Sequence, residues 1–113
     1  MTPNEYQKLA MRTCKIPNNE KQKEEMIYHA VFGLASEAGE VAGIFQKKYQ
    51  GHPVDKEHIK KEMGDCLWMI AELATALDIE YEDIMKTNID KLKARFPEGF
   101  SEERSLHRAK EDI

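Results

Sequence analysis

Apolar residues recur at three- and four-residue steps along most of the chain, which is the spacing of an α-helix rather than a β-strand. One run, over residues 23–49, includes Ile27, Val31, Leu34, Ala38, Val41 and Phe45. Another, over residues 55–78, includes Ile59, Met63, Cys66, Ile70, Leu73 and Leu77. Shorter runs cover residues 3–14 and 81–95. The pattern therefore predicts four helices and indicates no strand.

Helix-breaking residues fall between these runs. The four prolines lie where a helix should be absent or just beginning: Pro3, Pro17, Pro53 and Pro97. Thr2 and Asp55 lie at the starts of two of the predicted helices and are suitable N-caps. Gly51 follows the run over residues 23–49 as a C-terminal glycine. We therefore predict an all-α fold, a four-helix bundle with short polar connections.

Trp68 departs from the single apolar face of its helix. It lies at roughly 180° from Ile59 and Leu77 by the helical period. A second apolar face favours a homo-oligomer in which helices two and three pair across subunits. The alternative is that the first helix or the C-terminal segment covers Trp68 within one chain.

The composition is that of one small domain. The chain has 113 residues, of which 41% are hydrophobic, enough for one modest core. It has no run of about 18 apolar residues and no signal-peptide pattern, so we predict a cytoplasmic protein without a membrane segment. We place the domain at residues 1–100 and a charged tail at 101–113, which forms a short helix, an arm on another subunit, or a disordered end.

Cys14 and Cys66 are predicted to be free thiols, with Cys66 buried.

The charge pattern limits the partners. A formal net charge of −4 gives no electrostatic footprint for duplex nucleic acid. A nucleotide bound through a divalent cation remains compatible with this charge, because acidic side chains hold the metal.

Two acidic pairs stand out within the helices. Glu37 and Glu40 are three residues apart in helix two, and Glu62 and Asp65 are three apart in helix three, so each pair shares a helix face. Both pairs border the apolar stripe, so packing of the two helices would bring four carboxylates together. Such charges repel one another unless a cation neutralises them, and oxygen ligands favour Mg²⁺ or Mn²⁺ over zinc. One pair would arise readily in a chain with 34% charged residues, whereas two facing pairs would not.

Neighbouring residues support a site here. Gly39, Gly43 and Gly64 lie inside helices, where each costs about 1 kcal/mol relative to Ala, so we expect a helix or ligand close by. Asn88, Lys91 and Arg95 form one polar stripe on helix four that suits the oxygens of a polyphosphate. Lys91 and Arg95 also suit a helix C-terminus without any ligand.

Two other residues receive weaker predictions. Glu72 is predicted to be a polar neighbour of Asp65 rather than a ligand. His58 and Glu62 are four residues apart and could share a transition metal, but a lone histidine at a helix start is usually solvated.

These motifs, ExxE, ExxD and NIDKLKARFPEGF, resemble those of the MazG-like all-α nucleoside triphosphate pyrophosphohydrolases, over residues 6–100. The resemblance implies Mg²⁺-dependent hydrolysis of a (deoxy)nucleoside triphosphate to monophosphate and pyrophosphate, for cleansing or regulating the nucleotide pool. It implies that Glu37, Glu40, Glu62 and Asp65 are catalytic metal ligands, one glutamate acting as general base. The implied phosphate-binding residues are Asn88, Lys91, Arg95 and Lys48.

Three questions stay open at this level. Lys47 or Lys48 could instead serve the dipole of helix two. Base recognition would come from residues such as Tyr6, Phe32, Trp68 or the tail. The main alternative function is a non-catalytic helical oligomer that binds nucleotide or a protein partner; a di-iron bundle is disfavoured because paired Glu-x-x-His motifs are missing.

Overall fold

The computed structural model describes residues 1–109 and 112, and its regular structure is helical. The helices are α1 (Pro3–Met11), α2 (Glu20–Tyr49), α3 (Lys56–Ala76), α4 (Tyr81–Arg95) and α5 (Glu102–Leu106). The predicted all-α fold is confirmed, and α1 to α4 match the four predicted helices. Within the described residues no β-strand is formed. The last residues of the predicted tail, 110, 111 and 113, lie outside the described part.

Side-chain caps set the helix starts. The Thr2 hydroxyl accepts a hydrogen bond from the Glu5 amide, and the Glu5 carboxylate accepts one from the Thr2 amide, which is a capping box. Asp55 caps α3 as predicted. The Asn19 side chain accepts from the Gln22 amide at 2.8 Å, so α2 begins three residues earlier than predicted.

Two helices end earlier than predicted. The Thr13 hydroxyl donates to the Ala10 carbonyl at 2.8 Å, so a turn replaces the expected last residues of α1. At the end of α3, Asp78 adopts a left-handed conformation with φ of 57°. The Ile79 amide then donates to the Ala74 carbonyl at 2.8 Å, which closes the helix with a Schellman-type turn.

Residues 1–80 form one compact unit, built on the pairing of α2 with α3. Its most buried side chains are small, namely Ala30, Ala71, Ala74 and Ala76, so the helix backbones approach closely. Gly33 lies at one such close approach, because a Cβ atom there would overlap the Met69 sulfur. Packing of α2 on α3 is the feature that positions the acidic pairs.

Trp68 is covered by α1 within the same chain. Its indole Nε1 donates to the Ala10 carbonyl at 3.0 Å and to the Thr13 hydroxyl at 2.9 Å. The second face of α3 is therefore occupied by the first helix, which was the alternative to pairing between subunits. Trp68 no longer supports an oligomer, and the oligomer prediction has to rest on other surfaces.

Residues 81–113 form a second compact unit, described here by itself. It contains α4 and α5, and the short α5 shows that part of the predicted tail is helical. The Phe96 and Phe100 rings lie 5.4 Å apart between their centroids. The predicted division at residue 100 stays a prediction. Across the described residues, no helix combines the length and apolarity that a membrane crossing requires.

Candidate metal centre

Three of the four predicted carboxylates come together in the first unit. Glu37 of α2 and Glu62 and Asp65 of α3 each offer an oxygen, and these oxygens all lie within 4.8 Å of one another. We call these three residues the carboxylate cluster. Glu62 and Asp65 share a face of α3 because they are three residues apart, and the packing of α2 against α3 brings Glu37 to them, as the sequence predicted.

Charge repulsion is visible at Glu37. Partial burial raises the pKa of its carboxyl above the ordinary value, and the negative charges of Asp65, Glu62 and Glu40 raise it further. The protein therefore holds like charges together against their mutual repulsion. A divalent cation would relieve this repulsion, and three carboxylate oxygens are the donor set that Mg²⁺ or Mn²⁺ prefers. The residues present fit such an ion.

Glu40 lies outside this cluster. It is exposed, one turn beyond Glu37 on α2, and it reaches the cluster through its charge on Glu37. The structure therefore brings together three of the four predicted ligands and leaves the fourth at the edge.

Cys66 lies beside the cluster as a free, half-buried thiol. Burial raises its pKa, and the charges of Glu37, Asp65 and Glu62 raise it further. The thiolate is disfavoured at neutral pH, so Cys66 is unsuited to act as a nucleophile. Cys14 is also free. The prediction of two free thiols is confirmed, although Cys66 is less buried than expected.

The glycines near the carboxylates border open space. A Cβ atom built on Gly39, Gly43 or Gly64 would have no neighbour within 4 Å. No neighbouring helix of the described chain approaches these glycines, whereas α3 approaches Gly33. The other expected reason for the glycines, a ligand close by, stays a prediction.

The predicted phosphate stripe lies on α4 in the second unit. Lys91 and Arg95 line a cavity of about 380 Å³ whose other basic residues are Arg104, His107 and Arg108. Asn88 is exposed and is not among the residues that line the cavity.

Arg95 already holds a carboxylate. Its Nε donates to Asp112 Oδ2 at 2.6 Å and its terminal nitrogen donates to Oδ1 at 2.8 Å. These hydrogen bonds lower the pKa of Asp112 below its ordinary value. The guanidinium binds an aspartate at two points in this structure, and its predicted role in binding phosphate stays a prediction.

Lys48 and His58 are not members of the carboxylate cluster. Lys48 is exposed in the last turn of α2, about 16 Å along the helix axis from Glu37. That position agrees with the helix-dipole alternative. His58 Nε2 lies 3.4 Å from Glu62 Oε1, and the histidine side chain is 56% exposed.

Sequence reasoning missed the environment of Glu72. This residue is 3% exposed, and its two oxygens lie 2.7 and 3.0 Å from His29 Nδ1. Its predicted place as a polar neighbour of Asp65 stays a prediction, and what the sequence did not predict is its burial and its pairing with α2. The one available signal was its position inside the apolar run of α3, where an acidic residue needs a partner.

Comparison with known proteins shows which family the sequence resembles. The family model described as "MazG nucleotide pyrophosphohydrolase domain" matches residues 28–100, which include the carboxylate cluster and the α4 stripe. The "Gene 37 protein" of Mycobacterium phage L5 is 29% identical over 80 residues, covering 66% of this chain and 70% of that protein. No solved structure matches the chain.

Proposed function

Because the chain belongs to the MazG nucleotide pyrophosphohydrolase domain family, we propose that it hydrolyses a (deoxy)nucleoside triphosphate to the monophosphate and pyrophosphate in the presence of Mg²⁺. The observation that carries this proposal is the carboxylate cluster, in which three oxygens from α2 and α3 lie within 4.8 Å of one another. Burial and the charges of Asp65, Glu62 and Glu40 raise the pKa of Glu37, and this unfavourable environment for a carboxylate supports the same proposal.

Glu37, Glu62 and Asp65 would hold the cation, with Glu40 as a fourth candidate ligand. Bound there, Mg²⁺ would neutralise negative charge on the phosphate oxygens, and Mn²⁺ could replace it.

The residues of the chain supply the remaining chemistry. A glutamate of the cluster accepts a proton from water while the water oxygen attacks the α-phosphorus. The bond from the α-phosphorus to the bridging oxygen breaks, and pyrophosphate leaves with that oxygen. Cys66 takes no part, since its raised pKa keeps it a neutral thiol.

Cationic residues of α4 are proposed to bind the phosphates. Lys91 and Arg95 line a cavity whose other basic residues are Arg104, His107 and Arg108. The two-point hydrogen bonding of Arg95 to Asp112 supports this role, because carboxylate and phosphate oxygens present similar acceptors. Asn88 and Lys48 remain proposed contacts on the resemblance alone.

A hydrolysis screen tests the function. The purified full chain is incubated with individual ribo- and deoxynucleoside triphosphates and Mg²⁺, and monophosphate, pyrophosphate and orthophosphate are measured separately. Equal amounts of monophosphate and pyrophosphate would support the proposal, whereas orthophosphate as first product would show cleavage of the terminal phosphate instead. The absence of turnover with Mg²⁺ or Mn²⁺ would favour the non-catalytic nucleotide-binding alternative.

Matched variants identify the site. Glu62→Gln removes a cluster carboxylate, and we expect it to reduce kcat by more than about 100-fold. Glu57→Gln makes the same change on the same helix, at an exposed residue paired with Lys60, and should retain activity. Equal activity of the two variants would place the reaction elsewhere.

A further inference from the structure

Glu72 is a buried carboxylate at the wall of an open cavity. The cavity has a volume of about 290 Å³ and lies in the first unit. Burying a carboxylate is unfavourable unless hydrogen bonds satisfy it, and ionised it can accept about four. The observed donors are His29 Nδ1 and the Cys14 thiol, 3.5 Å from Oε2. Glu72 therefore retains acceptor capacity beside the cavity.

The thiol is the weaker of the two donors. Cys14 Sγ also lies 3.6 Å from the Lys15 carbonyl, so one weak S–H group is shared between two acceptors. The burial and the Glu72 charge that raise the Cys14 pKa to about 11 keep it protonated. An N–H donor of a ligand could replace this thiol on Glu72 with a stronger hydrogen bond.

The rest of the cavity wall suits a flat ring. Trp68, Met26 and Pro17 contribute apolar surface, and Gln22 and His29 contribute polar groups. The His29 ring meets the Trp68 ring edge to face, with 6.4 Å between centroids. Small-molecule sites combine such apolar walls with a few convergent polar groups. This cavity has both.

Its position relates it to the carboxylate cluster. Asp65, Trp68 and Glu72 follow one another along α3, with Glu72 about 10 Å beyond Asp65 along the axis. That separation is comparable with the distance from the α-phosphate to the base of an extended nucleotide. The volume is at the small end of ligand cavities, about 300 Å³, which fits one ring system but not a whole triphosphate.

We propose that this cavity binds the base of the substrate nucleotide, with Glu72 accepting N–H bonds from the edge of a guanine. The inference rests on the proposed function. Guanine presents a ring N–H beside an amino group, and two adjacent donors match the two carboxylate oxygens. Thymine and uracil present a single N–H between two carbonyl oxygens, which the carboxylate would repel.

Fluorescence of Trp68 gives a direct test, because it is the only tryptophan in the chain and lines the cavity. The full chain is titrated with guanosine, inosine or thymidine, without Mg²⁺, and free N-acetyltryptophanamide corrects for absorption by the nucleoside. We expect saturable quenching, with guanosine binding at least about tenfold more tightly than inosine, which lacks the amino group. Similar responses to all three nucleosides, or no saturable response, would overturn the proposal.

Nucleosides carry no phosphate, so this test is separate from the hydrolysis screen. Guanosine binding without turnover of any nucleotide would retain the base site and reject the proposed function. Turnover without preference for guanine nucleotides, and without guanosine binding, would retain the proposed function and reject the base site.

Three variants locate the contact. Glu72→Gln should abolish the preference for guanosine over inosine, whereas Glu24→Gln, on an exposed carboxylate that accepts from Tyr28, should keep it. If Glu72→Gln does not fold, Cys14→Ala takes its place. Removing the competing thiol should tighten guanosine binding about threefold, and unchanged or weaker binding would contradict placement of the base at Glu72.

Discussion

Glu37 shows how a single residue can favour function at the expense of the fold. Its carboxyl is partly buried and is repelled by the charges of three other carboxylates, and both conditions raise its pKa. A raised pKa means that the charged form is less favourable in the folded chain than in the unfolded chain. Groups of this kind concentrate at functional sites, because a ligand later compensates for the repulsion.

Glu37→Gln should therefore stabilise the metal-free protein while removing activity. At neutral pH the substitution deletes a carboxylate that the folded state disfavours, so the thermal unfolding midpoint in chelator should rise. Pyrophosphate release with Mg²⁺ should fall to background in the same preparation. Glu57→Gln, on an exposed residue, serves as the control for both measurements, and a lower midpoint for Glu37→Gln would show that the carboxylate stabilises the fold.

Cys14 offers a pH-dependent prediction at the same scale. Burial, the charge of Glu72 and a hydrogen bond to Glu72 raise its pKa to about 11, from an ordinary 9.0. Because the thiolate is the reactive form, alkylation in a Cys66→Ser background should stay slow through pH 9. Its rate should then climb toward pH 11. Adding Glu72→Gln should shift this rise to lower pH, and an unshifted profile would mean that Glu72 does not control the thiol.

At the scale of the helix, the spacing of apolar residues predicted those features that depend on residues close together in the chain. The apolar steps of α2 and α3, and caps such as Thr2 and Asp55, were sufficient to locate the helices. The Asn19 cap was missed because no apolar residue follows it before Met26. The Gly33 contact with Met69 was missed because it joins residues far apart in the chain.

For the site too, the sequence predicted what depends on spacing within one helix but not what depends on packing between helices. The three-residue spacing of Glu62 and Asp65 predicted a shared face, and helix packing supplied Glu37. Glu40 is exposed and stays outside the cluster, although its spacing from Glu37 is the same as that of Asp65 from Glu62. The His29 pair with Glu72 also depends on the register between helices, and no motif records that register.

Gly39→Ala and Gly33→Ala compare an open helix position with a closely packed one. A Cβ atom at Gly39 meets nothing within 4 Å, so alanine should raise the free energy of unfolding by about 0.5 to 1 kcal/mol. Urea denaturation measures this change. Gly33→Ala is the comparison, since its Cβ would displace the Met69 sulfur and the gain should shrink or reverse. Equal effects at the two positions would contradict the packing described for α2.

At the scale of the whole molecule, exposed apolar residues on α2 form a surface that could bind a second copy of the chain. Tyr28 and Phe32 are 51% and 69% exposed, and their rings stack with centroids 6.2 Å apart. Val31 beside them is 44% exposed. Adjacent exposed aromatic side chains are typical of interaction surfaces. A homodimer or homotetramer is therefore our proposal for the assembled state.

Sedimentation velocity tests this assembly. The native chain should sediment as a dimer or larger species, and Phe32→Glu should shift it toward the monomer by placing a charge in the apolar surface. Tyr49→Glu, on a 92% exposed aromatic in the last turn of the same helix, is the matched control. A native chain that sediments as a monomer at micromolar concentration would refute the proposal.

The dependence of pyrophosphate release on Mg²⁺ concentration, compared between the native chain and Asp65→Asn, tests most directly whether the carboxylate cluster is the centre of the reaction. We expect no release in chelator, saturable activation of the native chain, and for Asp65→Asn a loss of activity that excess Mg²⁺ restores only in part. Release by the native chain in chelator, or an unchanged Mg²⁺ requirement in Asp65→Asn, would contradict this account.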